Sequence, residues 1–337
     1  MSPASERIGK VLVTGGTGFV GSHLVEQLLF QGYSVRCLLR YPDKRRWLGN
    51  LPVEVVQGDI TLPNTLPKAV EGVESVLHVA GLTKAKSPKD FYHFNGIGTR
   101  NLLEACVNTT SLPWRFVYCS SQAAAGPSPL GRAMTGKDSP HPLTDYGKSK
   151  LEGEQEVAKI GSAIETVIIR PSAVFGPRDT DIFIYFKILA KWRIKPFFGS
   201  SRNSLSLVYV KDLVEALILA LTVPKSQIPS EPLFVADPKP YTWAEVTSAI
   251  EKAIGHRCFP IVFPCPLVTA IATISEIIAG RNPNAFNRQK AKEMLATSWW
   301  CDVKPTMDAL DWKTITPLEK AMQDTVNWYR EQGWIAS

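Results

Sequence analysis

A tyrosine and a lysine four residues apart, Tyr146 and Lys150, form the most reactive pair that the sequence offers. Residues at that spacing share one face of a helix, so the phenol and the ammonium are expected to lie close together. A free phenol has a pKa of about 10, and a nearby positive charge favours the phenolate and lowers that pKa. Ser121, which ends a predicted strand, could hold a substrate oxygen beside Tyr146. Together these three side chains predict acid–base chemistry on an oxygen-bearing substrate.

The same tyrosine–lysine pair has a plainer interpretation. A surface tyrosine and a surface lysine at the solvated start of a helix would show the same spacing, and YxxxK alone is a weak motif. The elements that position the pair, and any cofactor site beside it, therefore decide between the two interpretations.

A glycine-rich turn near the start of the chain predicts such a site. The segment KVLVTGGTGFVG, 10–21, has a short apolar run before its glycines and a helical pattern after them. Gly15 allows a tight turn, Gly18 lets the backbone approach a pyrophosphate, and Gly21 lets the helix pack against the strand. Free N–H groups and the dipole at the helix start favour phosphate charge. The other predicted cofactor contacts in this turn are Thr17, Phe19 and Val20.

The end of the second predicted strand bears on which dinucleotide binds. Arg40 lies 19 residues past Gly21, where NAD enzymes usually carry an Asp or Glu for the ribose hydroxyls. A guanidinium there suits a 2′-phosphate, so the sequence favours NADP, with NAD possible. A solvated basic turn is the alternative. The basic residues of this segment are Arg36, Arg40, Lys44, Arg45 and Arg46.

Two more strand ends are predicted to face the cofactor. Asp59, beside Ile60, follows the third strand and could accept a hydrogen bond from the adenine amino group, although an aspartate is also common in turns. Ala80 and Gly81 follow the fourth strand, and their small size lets a flat cofactor lie across the strand ends.

Strands and helices alternate at a spacing that predicts an α/β fold with a doubly wound parallel sheet of the Rossmann type. Residues 1–177 are predicted to form the dinucleotide-binding domain and 178–337 a smaller, mostly helical substrate lobe, of which about 205–236 return to the main sheet. The predicted strands are 11–13, 34–39, 53–57, 75–80, 115–121, 166–170, 205–209 and 232–236, and the predicted helices are 19–30, 91–106, 144–160, 182–192, 211–222, 242–254, 266–279 and 317–330.

Composition restricts the class of protein. The chain has 337 residues, a net charge of +7 and six scattered cysteines without a CxxC pair, which predicts a reduced, cytoplasmic protein. No metal is expected, because the histidines lack ligand spacing, and no nucleic acid, because the basic excess is dispersed. No signal peptide or membrane-spanning run is predicted. The apolar tract 261–279 is interpreted as a core or pocket-lining helix, with membrane-surface contact as the less favoured alternative.

Five motifs in order give the chain a resemblance to a known family. They are TGGTGFVG at 14–21, HVAG at 78–81, YCSSQAAAG at 118–126, YGKSK at 146–150 and RPSAVFGPRD at 170–179. Over nearly its whole length the chain resembles an extended short-chain dehydrogenase/reductase. That resemblance implies that Ser121, Tyr146 and Lys150 are the catalytic set, with Ser121 matching the spacing to Gly126 better than Ser120 does.

The resemblance also has implications beyond the catalytic set. Asn95 corresponds to a common structural and cofactor-site position, and the segment from Pro171 to Val174 to one that touches the nicotinamide amide. A homodimer formed through helices 91–107 and 145–160 is implied as well.

Two departures distinguish branches of that family. Sugar-nucleotide epimerases and dehydratases usually carry RDFxxVxD, whose Arg meets a diphosphate, whereas Leu205 stands at that position in LSLVYVKD, 205–212. They also often carry an Asn in the segment that matches RPSAVFGP, and none occurs here. LLR at 38–40 and LVYVKD at 207–212 are more similar to the 3β-hydroxysteroid dehydrogenase and dihydroflavonol reductase-like branch, which acts on apolar ketones or alcohols.

The sequence therefore favours an NADP-preferring oxidoreductase that interconverts a carbonyl and a secondary alcohol on a largely apolar small molecule. A nucleotide-sugar epimerase or dehydratase with tightly held NAD is the alternative. A redox sensor of the NmrA-like kind, which binds the cofactor without turnover, is a third possibility, and the intact Tyr146 and Lys150 argue against it.

Overall fold

A parallel sheet organises the computed structural model, which describes residues 9–161, 163–280, 282 and 286–336. Its strands form from apolar runs such as that of β1, because a parallel sheet is covered on both faces. The strands of the described residues are β1 (Lys10–Thr14), β2 (Ser34–Leu39), β3 (Glu54–Gln57), β4 (Ser75–His78), β5 (Arg115–Cys119), β6 (Glu165–Pro171), β7 (Ala173–Phe175), β8 (Ile194–Phe198), β9 (Ser204–Leu205), β10 (Leu207–Tyr209), β11 (Leu233–Val235), β12 (Tyr241–Thr242), β13 (Phe259–Phe263) and β14 (Ser298–Trp299).

Helices begin where the sequence offers caps. The Thr144 hydroxyl accepts a hydrogen bond from the Gly147 N–H, and the Thr242 hydroxyl accepts one from Glu245, so each satisfies a free donor of its helix start. The α-helices of the described residues are α1 (Phe19–Phe30), α2 (Pro67–Val70), α3 (Pro88–Phe91), α4 (Gly98–Val107), α5 (Gln122–Ala125), α6 (Asp145–Ile160), α7 (Phe183–Trp192), α8 (Val210–Thr222), α9 (Trp243–Ile254), α10 (Cys265–Ala279), α11 (Arg288–Leu295), α12 (Lys304–Leu310) and α13 (Leu318–Glu331).

The strand order of the main sheet is β3-β2-β1-β4-β5-β6-β11, and every neighbouring pair is parallel. The progression reverses between β1 and β4, so the chain leaves these strands toward opposite faces of the sheet. A crevice opens beyond their carboxyl ends, and ligands of open α/β sheets bind there. The predicted doubly wound Rossmann-type sheet is thereby confirmed.

Each face of the sheet carries its own hydrophobic core. On one face Leu24 of α1, Leu217 of α8 and Val326 of α13 are fully buried together. On the other face Leu102 of α4 and Val157 of α6 are buried with the opposite side chains of the strands. Burial on both sides holds the strand ends, and hence the loops that follow them, in fixed positions.

The chain beyond residue 177 contains several small sheets besides its contribution to the main one. β11 pairs with β6, whereas β10 pairs with β7 and β9 lies between β12 and β14. β8 and β13 form a separate parallel pair. The sequence analysis did not predict β8, β13, α11 or α12. The division into two domains at residue 177 stays a prediction.

The helix predicted at 91–106 is interrupted by a different helical form. The chain is helical from α3 through α4, but Tyr92–Ile97 between them is a π-helix. Such π segments insert a residue into the regular helix and occur frequently at functional sites. Asn95 lies in this segment, where the altered geometry turns its side chain toward the crevice loops.

The apolar tract at 261–279 is not a core helix, although Thr269, Thr273 and Ile274 of α10 line an open groove, as its prediction as a pocket-lining helix allowed. In α10 only Val268 and Ala272 are buried, and in β13 four of the five residues are exposed. The tract therefore forms an apolar surface with a narrow buried seam.

Candidate active site

The turn between β1 and α1 requires its glycines. Gly15 has a φ of +76°, and a Cβ there would lie 2.7 Å from the backbone nitrogen of Ala80. A Cβ at Gly21 would overlap the carbonyl of Gly15. The turn can therefore pass this close to the end of β4 and to its own helix only without side chains at these positions.

Gly18 differs from the other two glycines because open space lies beside it. A Cβ at Gly18 would find a single atom within 4 Å, the carbonyl oxygen of Gly15 at 3.2 Å. Gly18 is the N-cap of α1, and no side chain caps that helix start. Thr17, Phe19 and Val20 are half-buried around it. The turn thus presents a helix start with room for an anionic group in front of it.

Lys150 points from α6 into the end of the sheet. Its ammonium donates a 2.7 Å hydrogen bond to the carbonyl of Cys119, the last residue of β5. The same nitrogen lies 4.2 Å from the centre of the Tyr118 ring. A Cβ at Gly81 would be 3.7 Å from it, so the ammonium also reaches the crevice at the end of β4. Burial lowers the pKa of Lys150 to about 8.

Tyr146 and Ser121 face each other across the crevice. Burial raises the pKa of the Tyr146 phenol, and a hydrogen bond with the Ser121 hydroxyl acts in the opposite direction. This differs from the expectation that Lys150 would lower the pKa of Tyr146. Burial is the largest influence on this pKa, and Lys150 is not among the groups that shift it. The phenol is consequently protonated at neutral pH and can act as a proton donor.

The two adjacent serines after β5 have different surroundings. Ser121 is the N-cap of α5, where its hydroxyl accepts a 3.1 Å hydrogen bond from the Ala123 N–H. The Ser120 hydroxyl is buried and donates to the carboxylate of Glu154. Ser121 is therefore the serine available beside Tyr146, and its catalytic role stays a prediction.

A buried ion pair that the sequence analysis missed fixes the helix of the catalytic pair. The guanidinium of Arg170 donates to both carboxylate oxygens of Glu154, at 2.9 and 2.6 Å. Both side chains are at most 5% exposed. Glu154 lies one turn beyond Lys150 on α6, so the pair anchors this helix to the end of β6.

Asn95 connects the loop after β4 to α6. Its side-chain amide accepts a 2.8 Å hydrogen bond from the Leu82 N–H, and it donates 3.0 Å to the Leu82 carbonyl and 2.9 Å to the Ser149 hydroxyl. Ser149 precedes Lys150, so Asn95 positions the crevice wall. Its role as a direct cofactor contact stays a prediction.

A second buried network, centred on His78, supports the same loop. Thr14 and the Nδ1 atom of His78 are 2.6 Å apart, and the Nε2 atom lies 3.0 Å from the Thr99 hydroxyl. The Ala80 N–H donates 3.2 Å to Thr14. Burial lowers the pKa of His78 to about 3, so the imidazole is neutral and serves as a structural link. The HVAG motif was the only sequence signal for this histidine.

The basic side chains between residues 36 and 46 have different surroundings. Arg36 is buried and donates to the carbonyls of Lys68, Ala69 and Glu71, so it is a structural residue and no part of a phosphate site. Arg40 is exposed, and its guanidinium carbon lies 5.4 Å from the centre of the Phe94 ring. No carboxylate pairs with Arg40 within the described part of the chain.

The remaining predicted contacts vary in how well their surroundings fit the role. The Asp59 carboxylate already accepts hydrogen bonds from the N–H and hydroxyl of Thr61, at 2.9 and 2.8 Å. The Ile60 side chain is buried in the core, which does not support it as a contact through its side chain. Pro171 ends β6, and Val174 lies in β7. All four stay predictions.

A helix of the C-terminal half touches the start of α6, which sequence reasoning missed. The Asp145 N–H donates 2.7 Å to the side-chain oxygen of Gln289, and the Thr144 hydroxyl donates 3.0 Å to Glu293. Both partners lie on α11. The negative charge of Glu293 has a further effect, because it is among the groups that raise the pKa of Tyr146.

Two features are absent from the described ranges. No group of three or more His, Cys, Asp or Glu side chains there is arranged to hold a metal ion. Nor does any helix among those residues have the length and apolar character needed to cross a membrane.

The sheet order, the glycine turn and the meeting of Ser121 with Tyr146 define the class, an NAD(P)-dependent oxidoreductase of the extended short-chain dehydrogenase/reductase type. The chain belongs to the NAD dependent epimerase/dehydratase family, whose model matches residues 11–236.

The chain is similar along nearly its whole length to the ceramide reductase of Caulobacter vibrioides, with 31% identity and 98% of each chain covered. It is 33% identical to a 3 beta-hydroxysteroid dehydrogenase/Delta 5-->4-isomerase of Mycobacterium tuberculosis over 74% of this chain and 70% of the relative. Among solved structures, that of gox2253 matches with a TM-score of 0.80 and 26% identity, covering 97% of this chain and 99% of the other.

The residues present fit the nicotinamide dinucleotide that the family implies. The space beside Gly18 would be filled by any side chain, as expected for a backbone that a pyrophosphate approaches. Gly81 is exposed at the crevice, within reach of the Lys150 ammonium. The β1–α1 turn would hold the phosphates, and Lys150 a ribose hydroxyl.

We predict that Gly18→Val abolishes dinucleotide binding while the protein still folds, because the new side chain fills the space beside the helix start. A fluorescence titration with NADPH, run beside far-UV circular dichroism and thermal unfolding, measures both properties. Gly161→Val is the matched control, since a Cβ at Gly161 meets its nearest neighbours only at 3.4 and 3.6 Å. Normal titration by a folded Gly18→Val protein would contradict the assignment of the turn.

The lowered pKa of Lys150 predicts a pH dependence of cofactor affinity. The ammonium is present below a pH of about 8 and is lost above it, so affinity should fall as the pH rises through that value. The loss should be roughly tenfold, the usual worth of a hydrogen bond from a charged group. Dissociation constants measured between neutral and alkaline pH test this. In Lys150→Met the fall in cofactor affinity with rising pH should disappear. A Lys150→Met protein that still shows this fall would exclude Lys150 as its origin.

Proposed function

We propose that this protein is an NADP-preferring enzyme that interconverts a carbonyl and a secondary alcohol on a largely apolar small molecule. The observation that carries the proposal is the contact between the half-buried side chains of Tyr146 and Ser121, with the ammonium of Lys150 one helical turn further along α6. A binding protein that only senses the cofactor has no use for a proton donor held in this way.

The residues divide the reductive reaction among them. A nicotinamide dinucleotide supplies the hydride that the carbonyl carbon accepts. The Ser121 hydroxyl orients the carbonyl oxygen, and Tyr146 donates its proton to that oxygen as negative charge develops there. The raised pKa of Tyr146 keeps the proton in place until then. The ammonium of Lys150 holds a ribose hydroxyl of the dinucleotide.

The residue that replaces the arginine of sugar-nucleotide enzymes supports an apolar substrate. Leu205 stands at that position, is buried, and is paired in its small sheet with Tyr241 on one side and Trp299 on the other. The Trp299 indole donates a 2.9 Å hydrogen bond to the Glu293 carbonyl. Glu293 in turn contacts the start of α6, so this apolar sheet lies beside the helix of Tyr146.

The names of the relatives agree with that substrate class. The relatives named a ceramide reductase and a 3 beta-hydroxysteroid dehydrogenase share the family and more than 30% identity with this chain. Ceramides and steroids are both largely apolar. A nucleotide-sugar substrate would leave its diphosphate opposite Leu205 without a cationic partner, which is unfavourable for a buried charge.

The preference for NADP is supported by Arg40. Its exposed guanidinium follows β2, packs over Phe94 and is free of a carboxylate among the described residues, so it can bind a 2′-phosphate without breaking an ion pair. The alternative, tightly held NAD in an epimerase, predicts that NAD copurifies with the protein.

We predict that Tyr146→Phe lowers turnover by roughly a hundred- to ten-thousand-fold, because the ring stays in place and the proton is lost. Cofactor affinity should change little. Steady-state NADPH oxidation with a panel of apolar ketones, beside a cofactor titration, measures the two effects. Tyr92→Phe is the matched control, since the Tyr92 hydroxyl donates to Asp145, the residue before Tyr146, and its loss leaves the Tyr146 hydroxyl in place. Parent-like turnover by Tyr146→Phe would show that Tyr146 is not the proton donor.

We further predict that Arg40→Asp reverses the cofactor preference, since a carboxylate repels the 2′-phosphate and accepts bonds from the ribose hydroxyls. The measurement is the ratio of the NADPH and NADH dissociation constants, which should change by about tenfold or more. Lys252→Asp makes the same change of charge at an exposed position of α9 and should leave the ratio unaltered. A parent protein that binds NAD more tightly than NADP would overturn the interpretation of Arg40.

A further inference from the structure

We propose that β13 and α10 together form a docking surface for a lipid bilayer that contains anionic lipids. This surface is called the β13–α10 face below. The inference rests on the proposed function in one respect, because it identifies the bilayer as the source of the apolar substrate.

The β13–α10 face exposes apolar side chains to an unusual extent. Seventeen large hydrophobic residues of the described chain are exposed, and eight of them lie between residues 259 and 278. Phe259 is 76% exposed, Ile277 75% and Ile278 81%. The other five are Ile261, Val262, Leu267, Ile271 and Ile274. Soluble monomers rarely expose a contiguous patch of this kind without a partner for it.

The face carries almost no charge of its own. Between residues 258 and 280 the sequence has one charged side chain, Glu276. Glu276 is neutralised by Arg288 of α11, whose Nε atom lies 3.1 Å from the carboxylate. The centre of the face consists of isoleucine, valine and phenylalanine side chains and carries no unpaired charge. Such a surface suits insertion into the interfacial region of a bilayer.

The margin of the face is basic and aromatic at the β13 end. Trp192 ends α7 and is 64% exposed, with the ammonium of Lys191 over its ring at 5.6 Å. The Phe259 N–H donates 2.8 Å to the Arg193 carbonyl, so these residues adjoin the face directly. Arg193 and Arg257 are also exposed. Tryptophan and basic side chains are typical anchors at the headgroup level of anionic membranes.

The other margin carries a smaller positive surplus. α11 exposes Arg288, Lys290 and Lys292, of which Arg288 pairs with Glu276 and Lys290 with Glu293, so Lys292 alone is left without an ion pair among the described residues. In a two-fold contact the face meets itself, and the unpaired cations of the two margins would be brought together without a complementary charge. An anionic lipid surface complements both margins at once.

The face lies one helix away from the start of the catalytic helix. Val268 and Ala272 of α10 are buried against Ala291 of α11. α11 in turn is bonded to Asp145 through Gln289, and Asp145 precedes Tyr146. A protein docked through this face would hold its Tyr146 close to the bilayer surface, which gives an apolar substrate a short path from the lipid to the crevice.

The test is flotation with vesicles of phosphatidylcholine and phosphatidylglycerol on a density gradient, using the full chain. We expect the parent protein to float with these vesicles and to float less with vesicles of phosphatidylcholine alone. The double variant Ile277→Glu/Ile278→Glu should reduce the bound fraction by roughly tenfold, because it places two charges in the face. The matched control is Phe30→Glu/Leu130→Glu, which alters two residues that are equally exposed elsewhere.

Two readouts separate this proposal from others. NADPH titration should be parent-like in both double variants, which shows that they are folded. Flotation does not depend on turnover, so loss of flotation in Ile277→Glu/Ile278→Glu supports docking even if no apolar ketone is reduced. The proposal is overturned if the parent protein does not float, or if that variant floats as well as the parent. It is overturned too if light scattering shows that the variant dissociates a dimer of the parent.

Discussion

The buried ion pair between Arg170 and Glu154 is the contact on which the geometry of the site depends. It joins the end of β6 to α6 one turn beyond Lys150, and Glu154 also accepts the Ser120 hydroxyl at the end of β5. Two strand ends and α6, which carries Tyr146 and Lys150, are thus held by one carboxylate. Removing either partner would leave a buried charge unpaired, at a cost of about 3–5 kcal/mol. The positions of Tyr146 and Lys150 follow from this pair and from the Cys119 carbonyl.

Burial sets opposite pKa shifts on neighbouring groups at that site. It raises the pKa of Tyr146 and lowers that of Lys150, because each neutral form is favoured away from water. The phenol therefore retains its proton, while the lysine approaches the point where it can lose its own. A surface tyrosine and lysine would show neither shift, so enclosure by the sheet ends gives the pair its chemical character.

Local sequence patterns predicted those parts of the fold that local forces determine. The observed bounds of α1 and β2 coincide with the predicted ones, because apolar periodicity and glycine punctuation specify them. The burial of Arg36 and the exposure of α10 were not predicted, since both depend on distant neighbours. Arg36 is buried only because the carbonyls at the end of α2 and Glu54 surround it. The apolar sequence of α10 is typical of a core helix, but α11 covers only the narrow strip formed by Val268 and Ala272.

The bonds from Gln289 and Glu293 to the start of α6 have a consequence for any shortened form of this chain. The family model ends at residue 236, whereas these two partners of α6 lie some fifty residues beyond it. The chain beyond the matched region therefore supports the start of the helix that carries Tyr146 and Lys150. A chain that ended with the matched region would keep the β1–α1 turn but would lose the contacts that fix the start of α6.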